Sequence, residues 1–323
     1  MKNLKDFETD GAYYADKEFV SKSMLNDLEF CEYLFESKHL TNIFIDEEEH
    51  DYFIYGSAVD TLLTEAPEMF AKKFMPVKSK IDCGNKEEIK EHVKALKEQI
   101  AEKIATNKAH KVLDDKLAKN EERLITISQL GGLTQITETV YKHIKATADE
   151  LLRQPLFRMF GVGSNGKSQE IITVLWDDMK VKGKLDYINV DKKIIADVKT
   201  TANLERIDPR MYAGQLAYYR KLASIKYEIP EEEWDCYILV ADKLTDRKRS
   251  EIICLGKNLI TGASFENLAI LKKYYKLKEL GFYQPITEKP DALITDARRN
   301  TCFKCPFYNQ CDFSLQKEIS YIS

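Results

Sequence analysis

Two aspartates and a lysine have the types and spacing of a site for metal-assisted hydrolysis. Asp186 ends the run Gly-Lys-Leu-Asp, and Asp197 begins the run Asp-Val-Lys eleven residues later. Two adjacent carboxylates can hold a hard divalent cation such as Mg²⁺, which prefers oxygen ligands. With Lys199 beside them, the set would supply a metal-bound water and a positive charge to neutralise a phosphate.

Two strands joined by a tight turn must position these residues. Strand-like runs at Val181–Val190 and Lys193–Lys199 are separated by two polar residues. An antiparallel pair would set Asp186 beside Asp197. Side chains alternate along a strand with period two, so Lys199 would project from the same face as Asp197.

The surrounding sequence predicts an α/β fold with a mixed central sheet flanked by helices. Predicted strands are Glu170–Trp176, Val181–Val190, Lys193–Lys199, Asp235–Ala241 and Glu251–Leu255, and predicted helices are Arg210–Ala223 and Ser264–Leu280. At the N-terminus, Ser21 or Ser23 is placed to cap a helix through Leu25 and Leu28. We therefore expect one sheet to carry all the candidate catalytic carboxylates.

Four segments describe the expected organisation of the 323 residues. They are an N-terminal helical part of the catalytic domain (1–70), a helical insertion (71–160), the catalytic core (161–260), and a C-terminal helix with a three-cysteine segment (261–323). Residues 1–70 carry 17 Asp and Glu against 5 Lys and Arg, which leaves the other 253 residues at a net charge of +8. A phosphate-binding face is therefore expected beyond residue 70.

A glycine-rich segment from Gly161 to Ser168 matches the G-x4-G-K-S phosphate-loop pattern letter by letter. That loop requires a strand before it and a helix after it, so that the helix N-terminus points at the phosphate. Here a helical pattern ends near Phe157 and a strand follows at Glu170–Trp176. We interpret the segment as a turn entering a strand, and no ATPase activity is predicted.

The region around the two aspartates resembles the PD-(D/E)xK nuclease superfamily, especially its RecB-like and RecE-like exonuclease branches. Lys199 is followed by two threonines, and the next helix carries Gln215 and Tyr219 four residues apart on one face. Ser21-Lys-Ser-x-Leu is similar to the opening of RecE-like domains. The segment Gly56-Ser-Ala-Val-Asp60 resembles their G-x-A-x-H helix, with aspartate in place of a metal-binding histidine.

This resemblance implies a restriction-endonuclease-like core and a role for each matching residue. The implied metal ligands are Asp186, Asp197, the Val198 carbonyl, Asp60 and, as a further acidic position, Glu170. Lys199 would position or help deprotonate the attacking water and stabilise charge on the phosphate. Gln215 and Tyr219 would support the site or contact DNA. Mg²⁺ or Mn²⁺ is the implied catalytic metal.

Three cysteines near the C-terminus, Cys302, Cys305 and Cys311, have the spacing C-x2-C-x5-C. A tetrathiolate site needs a fourth ligand, and Cys31 is the best candidate. One cysteine before the core and three after it resembles the iron–sulfur nucleases of the AddB type and the CRISPR-associated RecB-like nucleases. A [4Fe–4S] cluster is the implied ligand, with a four-cysteine zinc site and no metal as the alternatives.

The resulting hypothesis is a metal-dependent DNA exonuclease that resects DNA ends in phage or prophage recombination. A CRISPR-adaptation-type nuclease that trims DNA ends is the alternative enzyme, and a catalytically silent DNA-binding or assembly protein is the alternative outside enzymes. DNA is the expected partner, with a homo-oligomeric ring or a recombination protein as further expectations. The N-terminus lacks an apolar stretch and no window is long enough to span a membrane, so a soluble, cytoplasmic protein is expected.

Overall fold

A computed structural model describes residues 3–30, 32–40, 51–65, 67–78, 86–106, 110–130, 133–155, 157, 165–243 and 248–279. Its helices are α1 (Asp10–Ala15), α2 (Lys22–Phe30), α3 (Glu32–His39), α4 (Asp51–Thr64), α5 (Pro67–Lys73), α6 (Lys86–Ala105), α7 (Lys111–Leu130), α8 (Glu138–Leu152), α9 (Ala213–Tyr227) and α10 (Lys257–Glu279). Its strands are β1 (Phe74–Val77), β2 (Thr134–Thr137), β3 (Gly166–Trp176), β4 (Met179–Asn189), β5 (Ile194–Thr201), β6 (Asp235–Asp242) and β7 (Ser250–Cys254). Within these ranges no helix has the length and apolarity needed to cross a membrane.

A five-stranded sheet in the order β3-β4-β5-β6-β7 forms the centre of the fold. β5 and β6 are parallel, whereas the other neighbouring pairs are antiparallel. The parallel pair requires a crossover connection, which α9 provides. The predicted α/β fold with a mixed sheet between helices is thereby confirmed.

Helices cover both faces of this sheet, because apolar side chains alternate along its strands. On one face α2, α9 and α10 bury a core around Leu25, Leu185, Tyr218 and Leu271. On the other face α4 and α8 bury a second core that includes Val59. The candidate site residues come from both layers and from the sheet between them.

The β3–β4 hairpin turns through Asp177 and Asp178, both of which have positive φ, at 49° and 63°. Two consecutive residues with positive φ are the mark of a type I′ turn, whose twist matches that of the flanking strands. Asp tolerates this conformation better than most residues. The turn therefore fixes the register of the hairpin, in which Gln169 lies opposite Asp186.

The start of α2 is anchored to β4. Val20 pairs with Val181, and its carbonyl accepts a hydrogen bond from Tyr218 Oη at 2.6 Å. Ser21 caps the helix, since its Oγ accepts from the Met24 amide at 3.3 Å. Of the two capping residues expected from the sequence, Ser21 is therefore the one used, and the N-terminus of α2 is held beside the sheet.

The segment between the N-terminal helices and the core is mainly a hairpin of two long helices, α6 and α7. Its ends are joined by a small parallel pair, in which Phe74 of β1 is opposite Thr134 of β2. The sequence analysis missed this pair, because strands of four residues carry too little periodicity to stand out. The four segment boundaries remain predictions.

The end of the glycine-rich segment, from Gly166 to Ser168, lies in a strand. Residues 161–164 lie outside the described part of the chain, but Lys167 and Ser168 lie within β3. A phosphate loop would place those two residues at the start of a helix. The interpretation of this segment as the entry to a strand is confirmed.

Candidate active site

Asp186 and Asp197 face each other at the point where β4 and β5 separate. The ladder between these strands ends with Tyr187 opposite Ala196, and the two aspartates are the next residues of each strand. Asp186 Oδ2 accepts a hydrogen bond from the Val198 amide at 2.8 Å. The Asp186 carboxylate thus accepts a hydrogen bond where the next backbone hydrogen bond of the ladder would form. This contact brings the two acidic residues together.

The alternation of side chains between the two faces of the sheet is broken in the β3–β4 ribbon at Gln169 and Asp186. On one side Tyr187 packs in the core under α4 and α8, whereas on the other side Leu185 packs in the core under α9. In a regular strand these two residues would share a face. Gln169, opposite Asp186, has a φ of 53°, which is unusual for a residue other than glycine. Such strain often lies at functional sites.

Lys199 and α9 complete the surroundings of Asp197. Lys199 Nζ forms an ion pair with Asp197 Oδ2, and Gln215 Nε2 donates to Asp197 Oδ1 at 2.9 Å. The same amide group donates to Tyr219 Oη at 3.1 Å. Asp197 is only 1% exposed, so these contacts hold its carboxylate in one orientation.

Gly183 allows α9 to approach this closely. A Cβ at this position would lie 2.8 Å from Leu222 Cδ2 and 3.3 Å from the Tyr219 ring. Any side chain on Gly183 would therefore push α9 away from β4. The glycine of the Gly-Lys-Leu-Asp run thus serves packing, and through packing it places Gln215 beside Asp197.

A third carboxylate, that of Asp60, reaches the site from α4. Its Oδ2 accepts from Gln169 Nε2 at 3.1 Å, and the same amide donates to Thr64 Oγ1 at 2.9 Å. Asp60 Oδ1 is buried and accepts no hydrogen bond from the residues that the structure describes. The positive φ of Gln169 therefore aims a side-chain amide at one oxygen of Asp60 and leaves the other oxygen free.

The carboxyl groups of Asp60 and Asp186 resist ionisation. Burial raises the pKa of Asp60 to about 6, and the charge of Asp197 adds to the effect. Burial, followed by the charges of Asp197 and Asp60, holds the pKa of Asp186 well above its usual value. Burial alone would lower the pKa of Lys199, but the charges of Asp197 and Asp186 outweigh it and raise that pKa. The site therefore contains more buried negative charge than Lys199 neutralises.

An open cleft of about 640 Å³ leads to these groups. Its walls include Asp60, Asp186, Gln215 and Tyr219. Of the residues predicted from the sequence, these four meet in the cleft. From the adjoining strand, Asp197 contacts Gln215, and Lys199 pairs with Asp197. The predicted Val198 carbonyl lies on β5 next to Asp197, while the Val198 amide holds Asp186.

Glu170 is not part of this cleft. It pairs with Leu185 across the ladder, and it shares the face of Leu185 because directly opposed residues do so. Its Oε1 accepts from Tyr227 Oη at 2.9 Å and contacts Lys167 Nζ at 3.2 Å. The expectation of a metal ligand at Glu170 is therefore not supported by its placement, since the strand reversal turns it away.

Among the cleft residues that sequence reasoning missed are Lys184, Asp10 and Gln169. Lys184 Nζ donates to Asp10 Oδ1 at 2.8 Å, and both residues line the cleft. The alternation that linked Asp197 to Lys199 would have identified Lys184, which lies two residues before Asp186. No local pattern indicates Gln169, because its orientation depends on a reversal of two strands.

The donors suit a hard divalent cation, although the described residues contain no ready-made group of three or more His, Cys, Asp or Glu side chains that could hold a metal ion. Mg²⁺ is typically bound by one or two carboxylates, with waters and substrate oxygens filling the other positions. Asp186 and Asp197 meet that requirement, and the free Asp60 Oδ1 supplies a further buried acceptor. The predicted cluster ligands Cys31, Cys302, Cys305 and Cys311 lie outside the described residues.

Comparison with known proteins agrees with this geometry. The crystal structure of a "putative exonuclease" from Eubacterium rectale matches with a TM-score of 0.54 and 16% identity, over 89% of this chain and 97% of that chain. The crystal structure of SSO0001 matches with a TM-score of 0.28 and 16% identity, over 55% of this chain and 79% of that chain, too weakly to support an argument. A comparison with curated proteins found no significant match.

A family model matches residues 20–312, which include every residue of the site from Lys22 to Tyr219. The first of the two structural matches supports the same fold. The chain therefore belongs to the PD-(D/E)XK nuclease superfamily.

Proposed function

We propose that this protein is a divalent-metal-dependent DNA exonuclease that resects DNA ends. The observation that carries the proposal is the meeting of Asp186, Asp197 and Lys199 with Asp60 and Gln215 beside one open cleft. Membership of the nuclease superfamily supports phosphodiester hydrolysis. The structural similarity, over 89% of this chain, to a protein described as a "putative exonuclease" supports attack at ends.

Asp186, Asp197 and Lys199 have different roles in the proposed reaction. Asp197 is oriented by Gln215 and Lys199, and Asp186 is oriented by the Val198 amide. Because its neighbours raise the pKa of Lys199, Lys199 carries a proton at neutral pH and cannot accept another. Its role is then to orient the attacking water and to stabilise negative charge on the phosphate, rather than to act as the base.

Asp186 and Asp197 would hold the metal, with Asp60 as a further ligand. When bound, Mg²⁺ or Mn²⁺ supplies Lewis-acid activation of a water and of a phosphate oxygen. Gln169 holds Asp60 Oδ2 and leaves Oδ1 available. Groups that orient a ligand in this way commonly change metal affinity by about 10- to 100-fold.

Cleavage of end-labelled DNA tests the proposed function. Linear duplex and single-stranded DNA, and a covalently closed circle of the same sequence, are incubated with protein and Mg²⁺ or Mn²⁺. We expect metal-dependent release of mononucleotides or short oligonucleotides from linear DNA only, and none in the presence of a chelator. The label that is lost first gives the polarity of resection.

An Asp197→Asn variant is the matched control for this experiment. Asn keeps the size of the side chain and can still accept the Gln215 hydrogen bond, but it removes a charged ligand. We expect at least a 10²-fold loss of cleavage. Cleavage of the closed circle would contradict the exonuclease assignment. A wild type that binds DNA but cuts none of the substrates would instead be a binding or assembly protein.

We also propose that Cys31, Cys302, Cys305 and Cys311 hold a [4Fe–4S] cluster. The family match begins before the first of these cysteines and ends after the last, so all four belong to the matched domain. Four thiolates satisfy such a cluster. A cluster of this kind would join the end of α2, which stops at Phe30, to the C-terminal segment.

Anaerobic purification with metal analysis tests the cluster. The wild type should contain about four iron and four sulfide per chain, with visible absorption that bleaches on reduction. A Cys305→Ser variant should lose the iron, the sulfide and the visible absorption. A Cys254→Ser variant should keep all of them, because Cys254 is an exposed free thiol of β7. Stoichiometric zinc without iron in the wild type would identify the alternative zinc site.

A further inference from the structure

A buried lysine at the start of α2, Lys22, faces the cleft. Its side chain lines the cleft, and the residue is only 8% exposed. It forms no ion pair or hydrogen bond through its ammonium group with the residues that the structure describes. Burial lowers the pKa of Lys22, and the charges of Glu29 and Glu266 only partly oppose this effect. A buried ammonium in this state is costly unless an anion pairs with it.

Two helix N-termini meet at this lysine. Lys22 is the first residue of α2, and Ser21 caps only the Met24 amide, so the amides of Lys22 and Ser23 at the helix start lack intrahelical acceptors. Gly214 is the second residue of α9, whose N-terminus has no side-chain cap. A Cβ on Gly214 would lie 3.3 Å from Lys22 Nζ. The ammonium group therefore lies so close to Gly214 that a methyl group there would displace it by a few tenths of an ångström.

The charges of these three features all have the same sign. A helix N-terminus carries a partial positive charge and repels an ammonium group, whereas it attracts an anion. Lys22 lies against the first turn of α9 and also begins α2. The hydroxyl group of Ser23 and the side chain of Asn26 line the cleft beside it. An oxyanion with several acceptor oxygens would accept from Lys22 and from the free amides at the start of α2 at once, next to the Ser23 hydroxyl, which is hydrogen-bonded to Ser21.

We infer that Lys22, Ser23 and the first turns of α2 and α9 bind a phosphate of the nucleic acid strand next to the phosphate that is hydrolysed. This inference rests on the proposed function for the identity of the ligand. Gly214 directly precedes Gln215, which holds Asp197, so the bound phosphate would lie close to the catalytic carboxylates. An internal phosphodiester and a terminal phosphate share the required chemistry.

Binding without cleavage tests this inference. The affinity for a labelled oligonucleotide is measured by fluorescence anisotropy over a range of salt concentrations, with Ca²⁺ in place of Mg²⁺ or Mn²⁺. For Lys22→Met we expect about tenfold weaker binding at moderate salt. The slope of log K against log salt should fall by about 0.7 for a single strand. Lys276→Met, which removes an exposed lysine of α10 outside the cleft, should keep the wild-type slope.

A second variant distinguishes a loss of phosphate binding from a folding defect of Lys22→Met. Gly214→Ala keeps the charge of Lys22 but places a methyl group against its ammonium. Alanine favours a helix over glycine, so this variant should be at least as stable as the wild type and yet bind the oligonucleotide several-fold more weakly. Thermal unfolding measured in parallel separates the effect on the bound phosphate from an effect on folding.

Oligonucleotides with a 5′-phosphate, a 3′-phosphate or neither distinguish the two sources of phosphate. A defect of Lys22→Met that is the same with all three indicates an internal phosphodiester, and a defect confined to one phosphorylated end indicates that terminal phosphate. The inference is overturned if Lys22→Met matches Lys276→Met in affinity and slope, or if the wild type binds no nucleic acid. Altered binding without any cleavage by the wild type would contradict the proposed function alone.

Discussion

Replacing Lys199 with methionine should reduce DNA cleavage by about 10²- to 10³-fold, while the affinity for DNA stays within a few-fold of the wild type. Lys199 Nζ pairs with Asp197 Oδ2, and its raised pKa keeps it charged at neutral pH. Negative charge grows on the phosphate only as the reaction proceeds. A fixed positive charge beside the carboxylates therefore stabilises the transition state more than the bound substrate.

Single-turnover cleavage with excess protein measures the chemical step separately from binding. Lys193→Met is the matched control, because Lys193 lies in the turn directly before β5 and forms an ion pair between exposed groups with Glu233. Such surface pairs contribute little, so the control should cut like the wild type. Equal losses of affinity and cleavage in Lys199→Met would reassign this residue to substrate binding. Normal cleavage would refute the assignment of the active site.

Metal-free protein should lose stability as the pH rises from 4 to 8, through its buried carboxylates. Asp60 has a pKa of about 6 in the folded chain against an ordinary value of 3.8, a difference worth about 3 kcal/mol. A carboxyl group whose pKa is raised by folding stabilises the fold below its unfolded pKa. That contribution is lost as the pH rises through the folded pKa. The pKa of Asp186 is also raised in the folded chain.

Chemical denaturation in the presence of a chelator at pH 4.5 and pH 8 tests this dependence. Asp60→Asn cannot ionise, so it should gain about 2 kcal/mol relative to the wild type between the two pH values, because the first part of the total of about 3 kcal/mol is already lost at pH 4.5. Asp178→Asn changes an exposed aspartate of the β3–β4 turn and should follow the wild type. Added Mn²⁺ should stabilise the wild type more at pH 8, because the ion binds ionised carboxylates. A pH-independent difference between Asp60→Asn and wild type would show that Asp60 is not buried as described.

Local sequence patterns were sufficient to predict the strands of the sheet and two pairs of site residues, Asp197 with Lys199 and Gln215 with Tyr219. Strand periodicity predicted β3 to β7 to within a few residues, apart from an earlier start for β3. The two-residue alternation placed Lys199 on the face of Asp197, and the helical spacing of four placed Gln215 near Tyr219. These relations involve neighbours in sequence, whose relative directions follow from the geometry of a strand or helix.

Charge counted along the sequence does not identify individual phosphate contacts. The basic excess beyond residue 70 predicts a phosphate-binding face there, and this stays a prediction. The proposed phosphate contact Lys22 lies within the acidic first 70 residues. Net charge averages over exposed ion pairs, whereas a buried lysine beside two helix N-termini acts through its local surroundings.

Relations between residues close together in the chain were enough to predict the family, the mixed sheet and the aspartate–lysine pair of β5. The packing of the folded chain was needed to bring Asp60 to Gln169 across more than 100 residues. It also decided that Glu170 turns away and that Lys22 lies against Gly214. Such contacts arise from the packing of helices on opposite faces of a twisted sheet, and no periodicity within one segment encodes them.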